Sequence, residues 1–300
     1  MKRSAQHATP STVVVFGAYG LLGATLCPVL SNFGYHVLKQ SRGNIGDVCC
    51  NPTDMAEVAG VLNSIQPVAV INLVALSNVD VCEADLPAAF VTNVRSVEVL
   101  VSAIEKTESI PHLIHISTDH VYKGVGPHVE GSVSPINNYA LTKYTSELLA
   151  LQVGASIFRT NFIGKSRSDS RQSFTDWIFQ SLVGGRYFTV FDDVFFSALS
   201  MQTLSICVAK ALEVRLAGVF NVGTRDGISK ASFAQKFASS LGLNTDMMRI
   251  GSVLDMKLSA PRPTDMRLNV RRFENAFGID MPDMDKEIQK VADEYRGEMK

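Results

Sequence analysis

Tyr139 and Lys143 stand four residues apart in the segment Tyr139-Ala140-Leu141-Thr142-Lys143. On a helix this spacing puts both side chains on one face. An ammonium beside a phenol favours the phenolate, which makes Tyr139 a proton donor at neutral pH. Alone, the pair reads equally well as a half-buried ring next to a lysine whose stem lies along the surface. Two other segments give it weight. Upstream, Gly17-Ala18-Tyr19-Gly20-Leu21-Leu22-Gly23 is a GxxGxxG loop between an apolar run and a helical pattern. Missing side chains there let backbone amides and a helix N-terminus approach a pyrophosphate, although a tight packing turn has the same composition. Ser117-Thr118-Asp119 ends a second apolar run, so the Thr118 hydroxyl is placed to bond a substrate carbonyl or, as strand-end hydroxyls often do, the local backbone. Together the three segments describe reduction of a carbonyl by a nicotinamide cofactor.

The cofactor is expected to be NADP(H), with NAD(H) as second choice. Dinucleotide folds set a carboxylate near the end of the second strand for the ribose 2′-hydroxyl, and this chain has Gln40-Ser41-Arg42 there. A guanidinium suits the extra phosphate of NADP; a solvated surface arginine is the plain alternative. Asp47-Val48, a little further on, is a candidate for the adenine. His115 and His120 flank the Ser-Thr-Asp segment without metal-ligand spacing, so they read as structural and no metal is expected.

These residues need a scaffold, and the pattern supplies one. Short β-branched or apolar runs at 13–16, 36–39, 68–74, 112–117 and 155–160 read as strands. Helical patterns at 21–33, 53–65, 88–106 and 139–151 alternate with them through the first 160 residues. Alternation of this kind predicts an α/β, Rossmann-type doubly wound parallel sheet that binds its ligand outside the strand C-termini. Beyond 160 the pattern is less regular, with helices at 173–183, 201–215, 229–241 and 282–296 and a strand at 218–223. The expected division is a flexible tail at 1–11, a dinucleotide-binding domain at 12–165, and a smaller interleaved substrate lobe over most of 166–300, with strand 218–223 returning to the main sheet.

Composition narrows the partners. The 300 residues are 46% hydrophobic with a formal charge of −1, enough for a large core and without the basic footprint of a nucleic-acid or anionic-membrane binder. The apolar run at 68–76, interrupted by Asn72, is too short to span a bilayer. Five cysteines at 27, 49, 50, 82 and 207 lack CxxC spacing and suit reduced thiols in a cytoplasm. A homodimer is one assembly compatible with this reading.

At this point the chain resembles the extended short-chain dehydrogenase/reductase superfamily and, within it, the dTDP-4-dehydrorhamnose reductase family. GAYGLLG at 17–23, INLVALSNVDVCE at 71–83, HISTDHVYKG at 115–124, NNYALTKYTSE at 137–147, RTNFIG at 159–164 and RPTDMRL at 262–268 occur in the family's order. The resemblance implies reduction of a keto-deoxy nucleotide sugar, with Tyr139 protonating the oxygen, Lys143 holding the nicotinamide ribose and lowering the tyrosine pKa, and Thr118 polarising the carbonyl. The cofactor would lie against Gly17, Tyr19, Gly20, Leu21, Gly23, Ser41, Arg42, Asp47, Val48, Leu73, Val74 and Ala75, with Asn93 shaping the site. The sugar side would use Ser77, Thr118, His120, Asn161, Phe162 and Arg262, the last as a diphosphate clamp. The departures fall on that side: His120 stands where relatives carry Tyr, Phe162 where they carry Trp, and 193–198 lacks their Gln-x-Gly-x-Pro-Thr stretch. Two other readings share the resemblance. One is an NADP-binding regulatory subunit similar to methionine adenosyltransferase beta; the other is an epimerase or dehydratase, which Arg42 and STDHVYKG oppose.

Overall fold

A computed structural model describes residues 11–43, 45–168 and 171–298, so the tail expected at 1–11 lies almost wholly outside the described residues. Seven parallel strands form the central sheet: β1 (Thr12–Phe16), β2 (His36–Ser41), β3 (Val48–Cys49), β4 (Ala69–Asn72), β5 (His112–Thr118), β6 (Ser156–Thr160) and β7 (Gly218–Val222). Their spatial order is 3-2-1-4-5-6-7. The order reverses at β1, whose neighbours are β2 and β4, so a crevice opens there above the strand C-termini. β4 and β6 are buried along their whole length, as parallel strands covered on both faces must be. β2 runs two residues past the expected 36–39, because Gln40 and Ser41 pair with the short strand β3.

Helices cover both faces. Met55–Ile65 and Leu86–Ile104 close one side over Val14, Val70, Leu113 and Ile157. The second is 19 residues long and apolar enough by composition to cross a membrane, but 56% of its apolar window is buried inside the fold. It contains a π-turn at Val91–Arg95. Buried Asn93 sits in that turn and makes two bonds to the Leu76 backbone, accepting from its N–H at 2.7 Å and donating to its carbonyl at 3.2 Å.

Gly23–Asn32 and Met201–Val214 cover the other face, with Arg271–Phe277 beside them. Leu204, Val208, Ala211 and Leu212 form an apolar stripe at helical spacing, and that stripe packs onto the sheet. Two helices C-terminal to 165 therefore complete the sheet's core and not a separate lobe. The remainder gathers around an aromatic core of Phe174, Trp177, Phe196, Phe233, Phe237 and Tyr295, carrying small sheets such as Phe188–Phe191 with Met248–Gly251.

Candidate active site

The glycine loop follows β1 directly. Gly17 has φ +77°, and a Cβ there would meet the Leu73 carbonyl carbon and the Val74 nitrogen at 3.0 Å. A Cβ on Gly23 would lie 2.4 Å from the Ala18 oxygen. Both positions thus require glycine on steric grounds. The helix Gly23–Asn32 starts without a side-chain cap; its Ala24 and Thr25 amides bond the Gly20 and Leu22 carbonyls, so an anion would meet the turn just before them. Buried Gln40 braces the loop, accepting from the Gly17 N–H at 3.2 Å and donating to the Cys50 carbonyl at 2.7 Å.

Two cavities meet over this loop, of about 380 Å³ and about 540 Å³, and both are lined by Gly17, Gly20, Leu73, Ala75 and Arg171. The larger also takes in Tyr19, Ser41, Arg42, Val74 and the 51–53 segment. Its lining includes two arginines, Arg42 and Arg171, and, among the described residues, no carboxylate, which fits a phosphorylated ribose better than a bare 2′-hydroxyl. Asp47 and Val48 lie outside both cavities. The Asp47 carboxylate accepts the Lys39 N–H at 3.0 Å and Val48 is buried in β3; beyond them the chain returns to the cavity at Asn51-Pro52-Thr53. Those three residues, Gln40 and Arg171 carry no motif that sequence reading could have used.

The smaller cavity gathers the residues expected to do chemistry. β5 ends at Thr118, and the helix Asn138–Ala150 begins under an Asn137 cap that accepts the Ala140 N–H at 2.8 Å. This puts Tyr139 in the first turn and Lys143 one turn on, and both line the cavity with Gly23, Leu21, Ser77, Thr118, Asp119, His120, Asn161 and Phe162. The phenol is pushed up to about 12, chiefly by burial; the Thr118 hydroxyl lowers it, and the nearby Asp119 and Cys82 raise it. Burial pulls Lys143 down to about 8, against the charge of Glu147. The Lys143 Nζ donates to the Ile116 carbonyl of β5 at 2.7 Å, and the hydroxyl that favours the phenolate is Thr118.

Other expected residues fall around this centre. His120 lies edge-on to Tyr139, ring centroids 5.6 Å apart, and burial together with the charges of Lys230 and Arg262 pulls it down to about 3. Its Nδ1 is buried without a hydrogen-bond partner among the described residues. Asn161 donates to Asp119 at 2.8 Å. Arg262 is not among the residues lining either cavity: it donates to the Asp80 carboxylate at 2.7 Å and the Ala260 carbonyl at 3.0 Å. Its fork is occupied by a carboxylate of this chain, so the arginine joins the 260s segment to the helix Val79–Ala84 and is not an open diphosphate clamp. Asn93 lines neither cavity and acts through Leu76. His115, between Asn72 at 3.1 Å and Ser146 at 3.0 Å, is structural.

A buried ion pair fixes the helix Asn138–Ala150 to the sheet. Arg159 of β6 donates to Glu147 at 2.6 Å through Nη2 and at 3.0 Å through Nε, and its Nη1 reaches the Tyr122 hydroxyl at 2.9 Å. Ser117 donates to the same Glu147. The pair lies one helical turn beyond Lys143 and sets the register between helix and β5.

A doubly wound sheet with a glycine cradle and a Thr, Tyr and Lys set at its C-terminal edge defines a dinucleotide-binding protein of the extended short-chain dehydrogenase/reductase type. Residues 11–297 match the RmlD substrate binding domain, and the chain belongs to that family. It is similar to a probable low-salt glycan biosynthesis reductase of Haloferax volcanii, 26% identical over 91% of this chain and 95% of that one. It is also similar to dTDP-4-dehydrorhamnose reductase of Escherichia coli, at 26% over 94% and 97%. Methionine adenosyltransferase 2 subunit beta of Danio rerio matches at 25% over 87% and 84%. Among solved structures, dTDP-4-dehydrorhamnose reductase of Bacillus anthracis in complex with NADP superposes with a TM-score of 0.84 at 23% identity, covering 94% of this chain and 98% of that one.

Proposed function

We propose that this chain is an NADPH-dependent reductase of the keto group of a nucleotide-linked deoxysugar. The observation that carries the reading is the joined pair of cavities: one is lined by Ser41, Arg42 and Arg171, the other by Thr118, Tyr139 and Lys143, and the glycine loop is common to both. That is the outline of a dinucleotide with its reactive end beside a proton donor. A reduced nicotinamide held there supplies a hydride to the carbonyl carbon. The chain's own residues do the rest. Leu21 and Gly23 present amides to the pyrophosphate; Arg42 meets the 2′-phosphate. Thr118 orients the carbonyl oxygen, and Tyr139 protonates it as negative charge develops. Lys143, anchored on Ile116, holds the ribose hydroxyls.

The regulatory-subunit reading has support in the likeness to methionine adenosyltransferase 2 subunit beta. The reductase reading is favoured because Tyr139, Thr118 and Lys143 all face one cavity, an arrangement that pure cofactor binding does not require. A thermal-shift panel tests it, since a ligand that binds only the native state raises Tm with its concentration. Expected are a large shift with NADP, a smaller one with NAD, and a further shift when a nucleotide sugar is added to the NADP complex. Absence of any nucleotide-sugar shift refutes the substrate assignment.

A further inference from the structure

Asp119 lines the smaller cavity, is 1% exposed, and has no catalytic part in the account above. It ends a continuous chain of hydrogen-bonding groups. Tyr139 and Thr118 line the same cavity, where the Thr118 hydroxyl favours the phenolate; that hydroxyl donates to Asp119 Oδ1 at 3.3 Å, and Asp119 Oδ2 accepts from Asn161 at 2.8 Å. Lys143 is tied to the Ile116 carbonyl. The phenol needs a proton after every turnover, and the acid joined to the Thr118 hydroxyl is the Asp119 carboxyl.

We propose that Asp119 is a positioning residue that resupplies the Tyr139 proton through the Thr118 hydroxyl. The inference rests on the reductase reading. As a hydride from the reduced nicotinamide adds to the carbonyl carbon, the oxygen takes the electron pair of the C=O π bond and the Tyr139 proton. The phenolate then takes the Thr118 proton, and the Thr118 oxygen takes the proton of the Asp119 carboxyl. Asp119 is left as a carboxylate and regains its proton from water in the cavity. Each cycle thus consumes one hydride and one proton, and Tyr139 and Thr118 end as they began.

The surroundings suit both forms of the acid. Burial pushes Asp119 up to about 6, while Asn161, Thr118 and the charge of Lys230 pull it down. A protonated fraction therefore persists near neutrality, and the same three groups stabilise the carboxylate after transfer. The remaining ionisable groups nearby are accounted for: His120 is held neutral, Arg262 is paired with Asp80, Tyr139 is the acceptor, and Lys143 is bound to β5. Lys230, at the start of the helix Lys230–Leu241, is itself buried and pulled down by that burial.

The test uses the full chain. A ¹³C NMR titration of labelled aspartate carboxyls, assigned by the resonance that disappears in Asp119→Asn, should show Asp119 titrating near 6, as its surroundings dictate. In Lys230→Met it should titrate higher, because the nearby cation is gone. Steady-state kcat across about pH 5 to 9 should fall as Asp119 deprotonates, because every turnover after the first needs the resupplied proton. In Asp119→Asn the rate should drop on the order of 10²-fold and lose that limb, with NADPH affinity unchanged, and in Lys230→Met the limb should move to higher pH. A purely structural aspartate would alter stability and leave the limb in place. Superimposable pH profiles for the unmodified chain and Asp119→Asn, or an Asp119 that titrates near the ordinary value of about 3.9, overturn the relay alone. Absence of turnover in the unmodified chain overturns the reductase reading and the relay with it.

Discussion

Lys143→Met should stabilise the protein in the absence of cofactor while damaging its function. The ammonium is 2% exposed and its pKa falls from an ordinary 10.5 to about 8. At about 1.4 kcal/mol per pH unit, carrying this charge in the fold costs on the order of 3 kcal/mol near neutrality. Methionine fills nearly the same volume without the charge. It forfeits the hydrogen bond to the Ile116 carbonyl, worth about 1 kcal/mol, so a net gain of about 2 kcal/mol remains, or a Tm rise of about 4 °C. The pH dependence identifies the cause. Because the folded pKa lies below the unfolded one, the unfolded chain binds more protons between about 8 and 10.5, and the stability of the unmodified protein rises with pH across that window. The advantage of the variant should therefore be full below pH 8 and vanish by about 10.5. Urea unfolding of both proteins at several pH values, paired with NADPH titrations, measures this. A variant less stable than the parent at neutral pH, or a gap that does not close as pH rises, refutes the argument.

Two further substitutions address the scaffold and the cofactor. Glu147→Ala leaves the guanidinium of Arg159, 2% exposed, without its carboxylate, and should cost about 3–5 kcal/mol in urea unfolding; Arg159→Met in the same background should recover part of that loss. Arg42→Ala should narrow the preference for NADPH over NADH about tenfold, the low end for a charge-assisted bond at an exposed rim, as read by fluorescence titration with each cofactor.

Much of this architecture was legible in the chain. β-Branched and apolar runs alternating with amphipathic helices specify a parallel sheet, and the glycine loop after the first run places the cofactor crevice, because Gly17 and Gly23 stand where a Cβ would strike backbone. The Tyr139 and Lys143 spacing gave a shared face, but spacing does not reveal what an ammonium bonds, and the Ile116 carbonyl lies 27 residues away on β5. The same limit hid the Glu147–Arg159 pair, the Arg262–Asp80 pair, which closes across 182 residues, and Arg171 above the cradle. Asp47 misled because a carboxylate near the second strand suits adenine recognition, whereas its oxygen is taken by the Lys39 backbone. The helices at Met201–Val214 and Arg271–Phe277 follow the lobe's first elements in sequence yet pack on the sheet, a long-range choice that local periodicity does not encode.

The central claim is that Tyr139 donates the proton in a reduction driven by NADPH, and single-turnover oxidation of NADPH by a keto nucleotide sugar tests it most directly. The phenol is buried and held protonated far above neutrality, so Tyr139→Phe removes the proton while the ring still packs. The account predicts that the unmodified chain oxidises NADPH only when the keto sugar is present, and that Tyr139→Phe binds NADPH with nearly unchanged affinity and reacts about 10²- to 10⁴-fold more slowly. Undiminished oxidation in Tyr139→Phe, or none in the unmodified chain with any keto nucleotide sugar, would contradict it.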